Sequence, residues 1–347
     1  MMSMPTKTTT SMAKKNPTPE QGGLTQASLE QAHRLIKSVQ RPLLVCHMSP
    51  DGDAVGSMVG LGRVLRQIGL APTLACSDPL SNALGFIPGA DEVVSQVDVP
   101  FDLVIALDSS DMERLGQLSE LPGFSDVPLL NIDHHKTDLN FGDVNLVDPQ
   151  ASSTAEIVLQ LLEVLAVSLD ADTATALLTG IVADTRGFRT NNVTPQVMEA
   201  ALRLMKAGAS LPYVALHALD TRSTAAIRLW GVALSQLQVD DRVAWTSIPL
   251  AARQETSYTD DGDASLVSFL ISAEDADVAA VFTERDDQRV EVGLRAKPGF
   301  DVAQVALQFG GGGHALAAGC TLPDPLKEAQ DRLLSALKAS LAEQRSR

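Results

Sequence analysis

Positive charge is in short supply in this chain. Lys and Arg number 27 against 43 Asp and Glu, a net charge of −16 over 347 residues. A protein that grips a long polyanion needs a broad basic surface, because phosphate neutralisation supplies most of that affinity. No part of this chain has one, so any nucleic-acid ligand is expected to be short or held mainly through metal ions. Part of the acidity fits metal-site carboxylate, whose charge bound cations would offset. Cysteine is also sparse. Cys46, Cys76 and Cys320 are scattered and odd in number, which excludes a disulfide framework and suits reduced thiols in a cytoplasmic protein. No run approaches the roughly eighteen apolar residues of a membrane span. The first two dozen residues are rich in Thr, Ser, Lys and Pro and lack an apolar core segment. They read as a disordered tail over residues 1–24 rather than a secretory signal. Aromatics make up only 4% and apolar residues 45%, a soluble globular composition with length for two domains.

What is present is an alternation of strand-like and helix-like segments. A helical pattern at 29–36 leads into PLLVC (42–46), which ends at His47. A helix follows from about Ala54 to Gly69. TLAC (73–76), FDLVIAL (101–107, ending at Asp108) and PLLNI (128–132, ending at Asp133) read as further strands. Helices are expected at 153–167, at 171–183 and from Pro195 to about Gly208. Strands alternating with helices predict a parallel α/β sheet. Residues 216–224 read as a linker or connecting helix. Beyond them lie a helix at 225–237, the strands RVAWTSIPL, VAAVFTER and RVEVGLRAK, the run GGGGHALAAGC, and a C-terminal amphipathic helix. The expected organisation is a catalytic domain over 25–215 and a smaller α/β domain with a mixed sheet over 225–347, with a cleft between them.

Ligands of parallel α/β sheets bind beyond the carboxyl ends of the strands. Three strand ends here carry metal-capable residues: His47 with Asp51 and Asp53, then Asp108, then Asp133-His134-His135. Four of the six histidines lie in these segments or in the glycine run. Carboxylate and imidazole together suit a divalent ion such as manganese, and Gly52 permits a tight turn between Asp51 and Asp53. Asp108 is placed to bridge two ions. Two ions about 3.5–4 Å apart stabilise the attacking and leaving oxygens of phosphoryl displacement and activate water. Taken singly, His47 reads as a structural histidine, Asp108 as a turn residue and Asp53 as a helix N-cap; their convergence argues otherwise. Asp184 closes an apolar helix, where the dipole disfavours a carboxylate, so a cation there would supply a reason. In the glycine run, Gly312, Gly313 and His314 suit an anion-binding nest, strengthened if the small residues after His314 open a helix. Arg295 suits bidentate phosphate or base contact.

In order and combination, HMSPDGDAVGS, ALDSSDMERLG, NIDHHKTD, DPQASSTAEIV, GIVADTRGF and GGGGHALAAG closely resemble the DHH phosphoesterases that carry the DHH-associated C-terminal domain. The compact length resembles the NrnA type, oligoribonucleases that are also pAp phosphatases. The resemblance implies that His47 and Asp51 hold one manganese ion, that Asp53, His134 and Asp184 hold the second, and that Asp108 bridges them, with Mg2+ or Co2+ as substitutes. It gives His135 a place beside the scissile phosphate, with Asp133 orienting a histidine. Arg114, Ser152 and Ser153 would line the catalytic cleft, and Arg295, Gly312, Gly313 and His314 would hold a terminal phosphate or base. Substrates would be very short RNA or DNA, linear or cyclic dinucleotides and pAp, and the resemblance also suggests a homodimer. One departure stands out. The family often shows Ser-x-Arg-Ser where this chain has Gly293-Leu294-Arg295-Ala296, so the arginine is kept and two hydroxyls are lost. Weighed against this reading are a cyclic-dinucleotide phosphodiesterase, a RecJ-like exonuclease, which would need a basic track, a family II pyrophosphatase, which carries a different C-terminal domain, and a non-catalytic nucleotide sensor.

Overall fold

The computed structural model describes residues 24–259 and 262–346, so almost all of the tail expected over 1–24 lies outside the described residues. Two compact units divide between Thr221 and Arg222. Among the described residues no helix is long and apolar enough to cross a membrane.

The first unit contains α1 (Gln26–Lys37), β1 (Pro42–Cys46), α2 (Gly52–Gln67), β2 (Thr73–Ala75), β3 (Leu103–Leu107), β4 (Leu129–Asp133), β5 (Val144–Val147), α3 (Thr154–Leu165), α4 (Ala171–Asp184), α5 (Pro195–Lys206) and α6 (Leu211–Ala215). Its five strands pair in the order β2-β1-β3-β4-β5, all parallel. β1, β3 and β4 are buried at every position, as strands covered on both faces must be. Alternate residues feed two cores. Leu44, Cys46, Ile105 and Leu107 join the helical side; Leu43, Val45, Val104 and Ala106 pack under Leu115, Leu118 and Phe124 of the turns between β3 and β4. Sequence periodicity missed β5. It is a short edge strand with every second residue half-buried, too brief to stand out from its loop. The helix expected from Ala54 begins at Gly52, because Asp51, not Asp53, is its N-cap: the Asp51 carboxylate accepts from the Asp53 and Ala54 amides.

Helices α2 and α4 approach unusually closely. A Cβ at Gly52, Gly56 or Gly60 would stand 2.8 Å from Ala183 Cβ, 2.4 Å from the Ala176 carbonyl oxygen or 2.7 Å from Leu177 Cδ2. The spacing of four residues places these three glycines on one face of α2, and α4 lies in the groove they leave. This packing sets Asp184, the last residue of α4, near the start of α2.

The second unit contains α7 (Thr224–Leu234), β6 (Gln238–Asp240), β7 (Val243–Ile248), α8 (Leu250–Thr256), α9 (Leu266–Leu270), β8 (Val278–Glu284), β9 (Val290–Ala296), α10 (Ala303–Gln308), β10 (Gly312–His314), β11 (Ala317–Leu322) and α11 (Leu326–Arg345). Its sheet runs β10-β11-β9-β8-β7-β6, mixed because only β7 and β8 are parallel. The expected linker over 216–224 is mostly helical: α6 continues through a wide turn at Leu216–Asp220, and Ser223 already caps α7. The small residues after His314 do not open a helix; they form β11, which pairs back on the glycines. A Cβ at Gly311 would lie 2.1 Å from the Gly319 carbonyl oxygen and one at Gly313 2.5 Å from that of Ala317. Backbone approach in this hairpin therefore demands glycine, and no helix dipole supports an anion site there.

Candidate metal centre

The strand order reverses direction between β1 and β3, the switch point where open α/β sheets bind ligands. His47 leaves β1 there and Asp108 leaves β3. Asp108 has φ of +58°, a left-handed backbone that costs about 1–3 kcal/mol in a non-glycine residue and marks functional constraint. Its buried carboxylate lies between two histidines, with Oδ2 3.5 Å from His47 Nε2 and Oδ1 3.6 Å from His134 Nε2. Asp51 Oδ1 is 4.0 Å from His47 Nε2. Across from it, His134 Nε2 lies 3.0 Å from Asp184 Oδ2 and 3.9 Å from Asp53 Oδ2. Two sets of convergent donors result, His47/Asp51/Asp108 and Asp53/His134/Asp184, with the donor atoms of each set within 4.8 Å of one another. A third set, Asp108/His134/His135, shares the bridging carboxylate.

Each ligand is held by a defined neighbour. His47 Nδ1 is 2.7 Å from the Met48 carbonyl oxygen, so Nδ1–H donates and Nε2 turns to the site. Asp53 is fully buried. Its Oδ2 accepts from Thr154 N at 2.6 Å, and its Oδ1 accepts from Ala155 N at 3.0 Å and Ser57 Oγ at 3.1 Å. Thr154 Oγ1 also donates to Asp108 Oδ1 at 3.0 Å. The N-terminus of α3 thus clamps two carboxylates at once. Ser57, Ser110 and Thr154 were not singled out from sequence. For Thr154 the available signal was the capping pattern Ser153-x-x-Glu156 inside a serine-rich loop.

The electrostatics point to cations. Burial raises the pKa of Asp53, and the charges of Asp108 and Asp184 raise it further. Burial, with Asp51 and Asp108, pushes Asp184 up to about 6 against the pull of His134. His47 is lowered by burial, but Asp108, Asp51 and the Met48 carbonyl more than compensate and raise it to about 9. Burial would raise Asp108 as well, yet His47, His134 and His135 hold it well below the usual carboxylate range. His134 Nε2 is buried without a well-aligned hydrogen bond; Asp184 is near enough to pair with it but off the bonding direction. Four carboxylates and two imidazole nitrogens facing one space are the hard and borderline donors that divalent first-row ions take, so the residues fit a two-ion site.

Asp133 ends β4 fully buried. Its Oδ1 lies 2.7 Å from His135 Nδ1 and accepts from His134 N at 2.8 Å, and its Oδ2 accepts from Ser110 Oγ at 3.3 Å. Arg114 is half-buried, and its backbone carbonyl accepts from Met48 N at 2.8 Å beside His47. Ser152 and Ser153 are fully buried. Their oxygens are engaged with Glu156, Ser152 Oγ donating to its carboxylate at 2.8 Å and Ser153 Oγ accepting from its amide at 3.2 Å. What these two serines contribute is the fixing of α3.

In the second unit, register places His314 opposite Ala317 and Ala317 opposite Arg295. Arg295 and His314 therefore share a sheet face on either side of a small residue, with Gly312 and Gly313 adjacent. Arg295 Nη1 donates to the Leu294 carbonyl at 2.9 Å. Gly293 stands where the family often has a hydroxyl, and a Cβ there would meet Val267 Cγ1 at 3.3 Å and Asp263 Oδ2 at 3.6 Å.

Comparison with known proteins agrees with this geometry. Residues 42–181 match the DHH family, N-terminal domain, and residues 247–343 match the DHHA1 domain. The bifunctional oligoribonuclease and PAP phosphatase NrnA of Thermus thermophilus is 32% identical over 311 residues, covering 88% of this chain and 92% of that protein. The chain belongs to the DHH family. A second such relative of this DHH protein, NrnA of Bacillus subtilis, is 28% identical, covering 83% of this chain and 91% of that one. Among solved structures, an exopolyphosphatase-related protein from Bacteroides fragilis shares the fold, with a TM-score of 0.84 at 23% identity over 91% of this chain and 97% of that one. Family and donor sets together make this DHH protein a metal-dependent phosphoesterase.

Proposed function

We propose that the chain hydrolyses very short RNA, linear dinucleotides and pAp to mononucleotides, using two manganese ions. The observation that carries this reading is Asp108, one buried carboxylate reaching a histidine of each donor set at 3.5 and 3.6 Å. His47, Asp51 and Asp108 would hold one ion, and Asp53, His134 and Asp184 the other, with Asp108 common to both. Ions so held polarise phosphoryl oxygens, lower the pKa of bound water and offset developing charge.

The chain's own residues supply the rest. Thr154 and Ala155 keep Asp53 in place through α3 backbone amides. Asp133 holds the Nδ1 side of His135. Burial lowers the His135 pKa, but Asp133 and Asp108 raise it above the ordinary value, so the ring carries a proton suited to donation to a leaving oxygen. Arg295, with Gly312, Gly313 and His314, is proposed to contact the terminal phosphate or base. The net charge of −16 and the lack of a basic track support small ligands over long strands.

The test is a product-resolved assay with manganese that sets pAp, pApA, a five-nucleotide RNA, a cyclic dinucleotide and a long single strand against one another. Preferred turnover of the first three supports the reading. Preference for the cyclic dinucleotide or the long strand moves the protein to those substrates, and no turnover of any of them contradicts it.

A further inference from the structure

The residues beyond the DHH triplet include one that the proposed mechanism leaves unused. Asp138 lies on the loop after β4, and its amide donates to the His135 carbonyl at 3.2 Å. Its Oδ1 accepts from Asn140 N at 2.6 Å, an ordinary loop-closing contact. Its other oxygen goes further. Oδ2 accepts from Asn131 Nδ2 at 2.8 Å, and the carboxyl also hydrogen-bonds that of Asp133. Asn131 and Asp133 are two residues apart on β4, on one side of the sheet, and both are fully buried. Asp138 therefore bridges them from the loop.

We propose that Asp138 is a positioning residue that fixes His135 through Asp133, so that the ring keeps Nδ1–H on Asp133 and turns Nε2 to the reacting phosphate. The inference rests on the phosphoesterase reading for the identity of the phosphate, not for the hydrogen-bond chain itself.

Two observations favour this over a purely structural loop contact. Two carboxyl groups bonded to each other need a proton between them. Asn131 Oδ1 is buried with no hydrogen-bond partner, so acceptors exceed donors around this cluster, and a proton on Asp138 restores the balance. Burial pushes the Asp138 carboxyl up to about 7, with Asp133 raising it and Asn131 opposing. The second observation is the saturation of Asp133. His134 N and His135 Nδ1 occupy Oδ1, and Ser110 and Asp138 occupy the rest. A carboxylate held on all sides cannot rotate, and the ring bonded to it is held in turn.

The experiment compares Asp138→Asn, Asp138→Ser and Asp138→Ala, alone and in a His135→Ala background, on pAp and pApA at saturating manganese. Asparagine retains kcat, because its amide donates to Asp133 and to the Asn131 oxygen. Alanine, and serine, which can cap Asn140 but does not reach Asp133, lower kcat by about 10–100-fold, with KM held within about twofold. In the His135→Ala background that loss disappears, because both changes act through one ring. Independently of turnover, the ring 15N shifts of His135 report a single Nδ1–H tautomer in the wild type and in Asp138→Asn, and a mixture in Asp138→Ser. Full kcat in both the serine and alanine variants, losses that multiply in the double variant, or an unchanged ring spectrum would each overturn the proposal. A wild-type protein inactive on both substrates overturns the phosphoesterase reading instead, and the ring spectrum still decides the role of Asp138.

Discussion

Replacing Gly180 by alanine tests whether the metal centre depends on the close approach of α2 and α4. The new methyl would stand 2.4 Å from Asp53 Oδ1, 2.6 Å from Ala155 Cβ and 3.3 Å from Asp53 Cα. Contacts of a Cβ do not fall below 3.0 Å, so Asp53 Oδ1 must retreat by 3.0 − 2.4 = 0.6 Å or the helices must part. Helix propensity favours alanine by about 1 kcal/mol, while overpacking a tight core costs about 1–3 kcal/mol. The net change in stability is therefore small, between about zero and 2 kcal/mol of loss. The functional change is larger. Asp53 is held by Thr154 N, Ala155 N and Ser57 Oγ, and moving it disturbs a ligand and its supports together. Disturbed ligand supports lower metal affinity or activity by about 10–100-fold. The assay is calorimetric titration of the metal-free variant with manganese, alongside its thermal midpoint. A variant that melts slightly lower and binds at least one ion much more weakly is expected. Wild-type affinity for both ions, or a raised midpoint, would refute the argument that this glycine makes room for Asp53.

Further outcomes follow from the same geometry. Thr154→Val removes a hydroxyl bond to Asp108 and keeps the backbone bond to Asp53; turnover is expected to fall about tenfold with the fold intact, as for other ligand supports, and unchanged turnover would contradict that role. Metal-free protein should lose stability as pH rises from about 4 to 9. Asp184 (raised to about 6) and His47 (raised to about 9) both bind protons more tightly folded than unfolded, so stability falls through each window. Differential scanning fluorimetry at pH 6 and pH 9 measures it, and manganese should flatten the slope. At pH 7.5 manganese uptake should release protons, since His47 must give up its own to act as a ligand; titrations in buffers of different ionisation enthalpy count them, and zero release would count against His47.

Much of this centre was legible because strand ends announce themselves. PLLVC, FDLVIAL and PLLNI are apolar runs that stop at His47, Asp108 and Asp133, and a parallel sheet brings such ends together whatever the intervening loops do. Asp184 was legible for the opposite reason, as a carboxylate at the helix end that disfavours it. The supports were not legible. Thr154 reaches Asp53 and Asp108 across about 100 and 46 positions of sequence, and nothing local distinguishes it from any first-turn threonine. The glycine run misled because close backbone approach in a hairpin and anion binding by a nest both call for glycine. β5 was hidden by its length, and the start of α2 by the presence of two aspartates that could each cap it.

Electron paramagnetic resonance of the manganese-loaded protein tests the shared carboxylate most directly. Two ions per chain with an exchange-coupled spectrum, reduced to an uncoupled or empty site by Asp108→Ala, is the predicted result. A wild-type spectrum of a single isolated ion, or coupling that survives loss of the Asp108 carboxylate, would contradict it.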